Sequence, residues 1–514
     1  MFGPFGPRRI TYADNTASGR SLALIEDVVR ERVLPWYGNT HSDTSETGRR
    51  TTALREDARR IIRDVVGGTD EHAVIFTGSG ATAAVDKFMR ILGLHVVSDL
   101  DRRLGLTASP RTEVPVIFVG PHEHHSNELP WRESVADVVR IGEDAQGDLD
   151  LAQLRDELVR YADRRLRIGA FSAGSNVTGA LADVNAASEL LHRHGALACW
   201  DYAATAPHRG VTMTGAPGRP ASYHDAVFLS PHKFLGGPGT PGILVIRREL
   251  INNDVPTMPG GGTVDFVGPT VRLYTQDAAQ REEGGTPAII ESIRAGMVFQ
   301  LAHEIGFDVI RGRETHRVRR AIAAWRRNPA IEILGDLDKD RLPIVSFLVR
   351  RPDGKLVHHH LVVALLNDLF GIQSRGGCSC ASSYGHELLH ITQEQSRRYA
   401  DLVAVGRLGA RPGWTRVTFG FDLSEEATDY LIAAVDLVAT HGWRMVPLYR
   451  FDETTGSWAH RDTRASTHRI ADLLDDHAHE DRIVVGSNDV YAEYRAAATA
   501  IFESPQLFNQ PSPG

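Results

Sequence analysis

Cysteine is scarce: Cys199, Cys378 and Cys380 are the only three in 514 residues. So few thiols over this length exclude a disulfide framework and fit a reducing compartment. Positive charge is not in excess either. The formal net charge is -8, and no basic cluster interleaved with aromatics occurs, which argues against a nucleic-acid or polyanion partner. The opening Met-Phe-Gly-Pro-Phe-Gly-Pro-Arg-Arg lacks the apolar core of a signal peptide. No apolar run approaches the length of a membrane span. Internal repeats and sustained low-complexity segments are missing as well. What remains is a globular chain expected in the cytoplasm, with no membrane partner. Its apolar content of 42% and charged content of 24% are ordinary, and its length suffices for two or more domains.

Strand patterns alternate with helical ones through the first half. Short buried strands are expected at Ala73–Thr77, Val114–Gly120, Asp137–Ile141, Leu166–Ala173, Ala196–Trp200, Ala226–Leu229 and Gly242–Arg247. Helices are expected at Leu22–Val33, Ala83–Leu92, Leu151–Arg164 and Val184–His194. This alternation predicts an α/β domain with a mostly parallel sheet covered on both faces. From about residue 288 longer amphipathic helices take over, with a strand at Leu342–Val349 and helices at His358–Phe370 and Ser424–Thr440. A smaller α+β domain follows from that texture. Residues 98–113 read as a polar loop, and helical patterns recur at Arg464–His477 and Asn488–Phe502 before a Pro/Ser/Gly tail expected to be disordered.

Ligands of such sheets sit at the carboxyl ends of the strands. The chemistry-bearing residues fall there: Thr77–Thr82, His122–Asn127, Ser175-Asn176, Asp201 and Ser230–Lys233. Gly78-Ser-Gly-Ala81-Thr82 joins a strand directly to a helix, which presents free N–H groups and a helix dipole to a phosphate. Lys233, in Ser230-Pro-His232-Lys233, lies just past a buried strand. Desolvation there favours the neutral amine that forms a Schiff base with a carbonyl cofactor such as pyridoxal phosphate. Asp201 can pair with the protonated pyridine nitrogen of that cofactor, and His124 can lie on its aromatic face. His122, His124 and His125, and likewise His358-His-His360, lack a matching set of metal-ligand partners in the spacing, so no metal is expected.

In this order the motifs resemble the class V aminotransferase-like, fold-type I pyridoxal phosphate enzymes, and within them the cysteine desulfurase and selenocysteine lyase branch. The resemblance spans roughly residues 10–440. It implies a seven-stranded, mostly parallel sheet in the large domain. It also implies that Lys233 links to the cofactor and moves the Cα proton, that Asp201 partners the ring nitrogen, and that His124 stacks on the ring. Asn176 matches the asparagine near the cofactor's phenolate and the substrate carboxylate. Ala81, Thr82, Ser230 and His232 match the phosphate cradle. Arg281-Glu-Glu-Gly-Gly-Thr286-Pro resembles the segment whose threonine reaches the phosphate of the neighbouring subunit, implying a homodimer with shared active sites. Arg375 and Cys380, in Arg-Gly-Gly-Cys378-Ser-Cys380, keep the family's Arg-x4-Cys spacing. Cys380 matches the nucleophile that takes sulfur from the substrate, and Arg416 in Thr-Arg-Val-Thr-Phe matches the arginine that binds the substrate carboxylate.

The resemblance therefore implies conversion of L-cysteine to L-alanine, with the sulfur carried as a persulfide and passed to an acceptor protein. The alternatives are a lyase or aminotransferase acting on another amino acid without a persulfide, and a non-catalytic scaffold of the same fold. Ala204 stands where desulfurases have a glutamine, Gly-Gly-Cys-Ser replaces the family's Thr-Gly-His-His, and an insertion carrying His386 and His390 separates Cys380 from Arg416. The expected organisation is an N-terminal segment at 1–30 packing with the small domain, a large cofactor-binding domain at 31–287, a small domain at 288–443 and an extension at 444–514.

Overall fold

The structure is a computed structural model that describes residues 1–40, 42, 44–95, 111–463, 469–474 and 490–504. Seven strands form the central sheet: β1 His72–Phe76, β2 Val116–Val119, β3 Asp137–Arg140, β4 Arg167–Ser172, β5 Leu197–Asp201, β6 Ala226–Leu229 and β7 Ile243–Arg247. Their spatial order is β1-β7-β6-β5-β4-β2-β3. Only β7 runs antiparallel to its neighbours β1 and β6, and the other pairings are parallel. Every residue of β1, β2 and β6 is buried, which is why those segments read as unbroken apolar runs rather than alternating ones.

Helices cover both faces, as the alternation of patterns predicts. Phe88 and Met89, from the helix α1 Gly80–Ile91, pack on one face with Trp131 and Phe228. Ile62, Leu190, Leu191 and Phe299 pack on the other with Phe118 and Trp200. Helix α1 begins at Gly80, in the glycine turn itself, three residues before the expected start at Ala83. The turn glycine supplies the bend, so the helix need not wait for Ala83.

The second half builds a four-stranded antiparallel sheet in the order Ile331–Ile333, Ile344–Val349, Trp414–Thr418, Arg375–Gly377. We label these β8, β9, β11 and β10 respectively, in chain order of the last two. The helices α2 Phe307–Trp325, α3 His359–Phe370 and α4 Glu425–His441 close over it through Val318, Trp325, Leu365, Phe347 and Leu431. His358 caps α3: its ring nitrogen accepts the backbone N–H of His360 at 3.2 Å.

Both chain ends dock on this second core. Thr11–Tyr12 pairs in parallel with Ile372–Gln373, so the N-terminal segment lies beside the approach to β10. Tyr491, on the C-terminal helix Val490–Phe502, stacks on Tyr430 with ring centroids 4.2 Å apart. The hairpin Tyr449–Asp452/Ser457–His460 is held by the His360 ring, whose Nδ1 donates to the Gly456 carbonyl at 2.6 Å. Most of the polar loop expected at 98–113, much of the helical pattern at 464–477 and the terminal tail from residue 505 lie outside the described residues. Among the described residues no helix is long and apolar enough to cross a membrane.

Candidate active site

One cavity of about 400 Å³ opens at the carboxyl ends of the parallel strands. It is lined by Ala81, Thr82, His124, Asn176, Asp201, Ser230, His232, Lys233, Arg375, Cys380 and Arg416. Of the residues to which the resemblance gives a role, all but one therefore meet in a single place. The exception is Thr286, which is exposed and lies away from this cavity.

One end of the cavity is the N-terminus of α1. Gly80 adopts φ of +56°, and a Cβ on it would sit 2.8 Å from Ser230 Oγ, so only glycine fits the approach. Ser230 Oγ accepts the Ala81 N–H at 2.8 Å, and the hydroxyls of Thr82 and Ser126 lie 2.6 Å apart. Ser79 makes no side-chain cap, which leaves first-turn N–H groups facing the cavity for an anion such as a phosphate ester. His232 closes this end; burial first, then Lys233, pull its ring down to about 4, so it stays neutral.

Lys233 follows β6 through a Ser-Pro turn, with its N–H donating to the Ser230 carbonyl at 3.0 Å. Desolvation, resisted by Asp201 and reinforced by Arg416 and Arg375, pulls its amine down to about 8. A sizeable neutral fraction is thus present near neutral pH, as a nucleophilic amine requires. Asp201 ends β5, and its carboxylate accepts the Ala203 N–H at 2.8 Å. Burial raises its pKa against the pull of that N–H and of Lys233. A protonated aromatic nitrogen would supply the counter-charge that this carboxyl lacks.

His124 follows the buried strand β2. Its Nδ1 accepts the Ser126 N–H at 3.1 Å, and burial, then Lys233, His125 and Arg416, pull it down to about 3. The ring is neutral and suited to lying on an aromatic face. Its neighbours have separate tasks. His122 pairs with Glu143 at 2.7 Å, and His125 Nε2 accepts the Ser382 N–H at 3.1 Å. Glu123 escaped the sequence reading. It is buried and gathers four donors, from Gly120, Asn127 and the N–H and hydroxyl of Ser172, which fix the histidine loop against β4. Burial pushes its carboxyl up to about 7, with those donors pulling the other way. An acid beside His-His is its only sequence signal.

Cys380 is exposed at the cavity, on a loop between β10 and the helix Ser382–Leu388. Ser379 and Cys380 adopt φ of +53° and +55°, a conformation costing L-residues roughly 1–2 kcal/mol each. Hydrogen bonds from the large sheet hold them there. Asn176 Nδ2 donates to the Ser379 carbonyl at 2.8 Å, and the His125 N–H to the Cys380 carbonyl at 2.7 Å. Ser383 Oγ adds a bond to Glu128 at 2.7 Å, and Arg140 pairs with Glu387. At about 1 kcal/mol net for each bond these offset the strain, so the thiol is presented on a fixed loop. Cys378 instead packs among Val177, Tyr384 and Trp414.

Arg416, buried on β11, donates from Nη1 to the Asn176 carbonyl at 3.0 Å and from Nη2 to Asp14 at 3.0 Å. Its Nε is buried without a partner, as is Asn176 Oδ1. Two orphaned polar atoms lining one cavity mark where a polar ligand belongs. Asp14, the partner of Arg416, carries no signal in the sequence that points to this cavity. The insertion between Cys380 and Arg416 forms two helices, Ser382–Leu388 and Gln393–Ala404, tied by His386 Nε2 to Ser396 Oγ at 3.0 Å. His358, His359 and His360 bring ligand atoms within 4.8 Å of one another. The His358 Nε2 and His360 Nδ1 groups meet the carbonyls of Gly409 and Gly456, so these rings anchor the neighbouring loop and hairpin.

A model of the aminotransferase class-V family matches residues 11–431. A probable cysteine desulfurase of Mycobacterium leprae is 29% identical over 383 residues, covering 73% of this chain and 84% of that one. A probable cysteine desulfurase of Staphylococcus aureus is 27% identical over 378 residues, with the same coverage of 73% and 84%. Among solved structures, a cysteine desulfurase from Thermococcus onnurineus superposes with a TM-score of 0.67 at 23% identity, covering 84% of this chain and 94% of that one. One from Escherichia coli gives a TM-score of 0.63 at 23% identity, covering 83% and 93%. These two are likenesses of fold.

Proposed function

The chain belongs to the aminotransferase class-V family, and we propose that it is a pyridoxal phosphate-dependent cysteine desulfurase that converts L-cysteine to L-alanine. The observation that carries this reading is the presence of Cys380 in the same cavity as Lys233, Asp201 and Arg416. An amino-acid lyase or aminotransferase has no use for a thiol fixed at that place.

The residues fit pyridoxal phosphate. The N-terminus of α1, with Ser230, Thr82 and His232, would hold the phosphate, Asp201 the ring nitrogen, His124 the ring face and Lys233 the aldehyde carbon. When bound, the cofactor supplies an electron sink for the pair left behind when a bond to Cα breaks. Arg416 and Arg375 orient the substrate by its carboxylate. Lys233 takes and returns the Cα proton, for which an amine near pH 8 is matched. The Cys380 thiolate attacks the substrate's sulfur; the C–S bond breaks, alanine leaves, and the enzyme carries the persulfide. L-Cysteine and the enzyme thiol thus give L-alanine and the enzyme persulfide, with atoms in balance.

The loop bearing Cys380 is tied down, so a sulfur-acceptor protein must come to the cysteine. Thr286 is exposed in its own chain, and the neighbouring ribbon Val264–Val267/Arg272–Tyr274 leaves Phe266, Val267 and Leu273 exposed. Both features support a homodimer in which a second copy covers the ribbon and receives Thr286 at its phosphate. The few cysteines support a cytoplasmic setting.

The reading is tested by incubating the cofactor-loaded protein with L-cysteine and a thiol reductant. Alanine and sulfide in equal amounts are expected; turnover confined to another amino acid would overturn it. A second expectation concerns pH. Loading of the apo-protein requires the neutral Lys233 amine, whose fraction below about pH 8 rises tenfold per unit. The rate at which visible absorbance develops on mixing with pyridoxal phosphate should climb from pH 6 to 8 and then level. A rate flat across that range would show that Lys233 is not the group that reacts.

A further inference from the structure

Strands β10 and β11 are antiparallel neighbours, and in their register Arg375 stands directly opposite Arg416. Directly opposed residues project from one face with Cβ atoms about 5 Å apart, and like charges so placed repel. The repulsion matters because the Arg416 side chain is only 2% exposed, whereas that of Arg375 is 48% exposed.

A single carboxylate lies between them. Asp14 Oδ1 accepts from Arg416 Nη2 at 3.0 Å, and its Oδ2 accepts from Arg375 Nε at 3.0 Å. The acid is delivered from outside the sheet. The Ala13 N–H donates to the Gln373 carbonyl at 2.9 Å, and the Thr418 N–H donates to the Ala13 carbonyl at 2.8 Å. Residue 13 is thus stitched between the lead-in to β10 and the end of β11. The Asp14 carbonyl then accepts the Ala17 N–H at 2.9 Å, closing the turn that aims its side chain.

The charge count follows. Two arginines less one carboxylate leave a single positive charge to meet the substrate, and Arg416 keeps its Nε–H without a partner. Asp201 is committed at the other side of the cavity, and among the described residues no further acidic side chain lines it.

We propose that Asp14 is a positioning residue that sets the substrate class: it cancels one of two opposed arginines, so the site takes L-amino acids bearing one carboxylate and discriminates against those with an acidic side chain. This deepens, and rests on, the reading of the cavity as an amino-acid site. Asp14→Asn frees a second positive charge and raises relative affinity for a dianionic amino acid. Arg375→Gln leaves no net positive charge and weakens both kinds. The double variant returns the balance to one.

The experiment titrates the cofactor-loaded protein with L-alanine and with L-aspartate and reads the change in its visible spectrum. Wild type should respond to alanine at the lower concentration. In Asp14→Asn the preference for alanine over aspartate should fall at least tenfold, and in Asp14→Asn/Arg375→Gln it should return to near the wild-type ratio. Arg375→Gln alone, at a half-exposed residue, should weaken alanine at least tenfold without favouring aspartate. An unchanged ratio in Asp14→Asn would overturn the proposal, as would equal weakening of both ligands without recovery in the double variant, because a merely structural acid predicts that pattern. The titration reads binding alone, so it decides on Asp14 whether or not cysteine is desulfurated.

Discussion

Lys233→Ala abolishes both the visible absorbance of the cofactor-loaded protein and its turnover of L-cysteine. The loss of rate should exceed about 10⁴-fold, because proton transfer by a positioned base contributes 10²–10⁴-fold by itself and the covalent anchor is lost with it. The fold should survive the change. Desolvation pulls Lys233 from the usual lysine range to about 8, so the folded protein binds that proton less tightly than the unfolded chain does. The resulting penalty is fully present below about pH 8 and fades as pH rises toward the ordinary lysine value. Alanine removes it, and at neutral pH the apo-variant should melt no lower than the apo-wild type. Circular dichroism and thermal melting check the fold, and absorbance spectroscopy checks the site. An unchanged visible spectrum would remove Lys233 from the centre of the site.

How much of this was legible beforehand depends on the range of the interactions involved. The parallel sheet announced itself because strands buried on both faces must be apolar throughout, as in Ala226–Leu229 and Val116–Val119. Lys233, Asp201 and His124 could be picked out because each follows such a strand, where ligands of these sheets bind. Asp14 and Glu123 could not. Asp14 acts on Arg375 and Arg416, hundreds of residues away, through a strand pairing of two residues that carries no periodic signal. Glu123 acquires its role from donors on β4 and on the following turn. The insertion after Cys380 was visible as extra length, yet its docking rests on Tyr384 in a small apolar cluster with Val177 and Trp414 and on polar contacts such as Arg140 with Glu387. The fixed character of the cysteine loop likewise emerges only in three dimensions, where Asn176 and His125 meet its carbonyls.

Cys380→Ser retains the cofactor's absorbance and still binds L-cysteine, but it loses sulfur transfer. The serine hydroxyl keeps the shape of the loop, since that loop is held by backbone carbonyls rather than by the thiol. A hydroxyl at neutral pH is neither a sufficient nucleophile toward sulfur nor able to carry a persulfide. Net formation of alanine should therefore fall at least about 10²-fold, a loss of the size expected when one covalent step is removed. Cys378→Ser should leave turnover close to that of the wild type, because Cys378 packs into a small apolar cluster instead of lining the cavity.

The most direct measurement is mass analysis of the protein after one turnover with L-cysteine and no reductant, with alanine assayed in the same sample, for wild type and Cys380→Ser. A gain of one sulfur atom on the peptide containing Cys380, matched by one alanine per site and absent from the serine variant, is the expected result. Alanine formed equally well by Cys380→Ser, with no sulfur retained on either protein, would contradict the desulfurase reading and point to an amino-acid lyase or aminotransferase on the same scaffold.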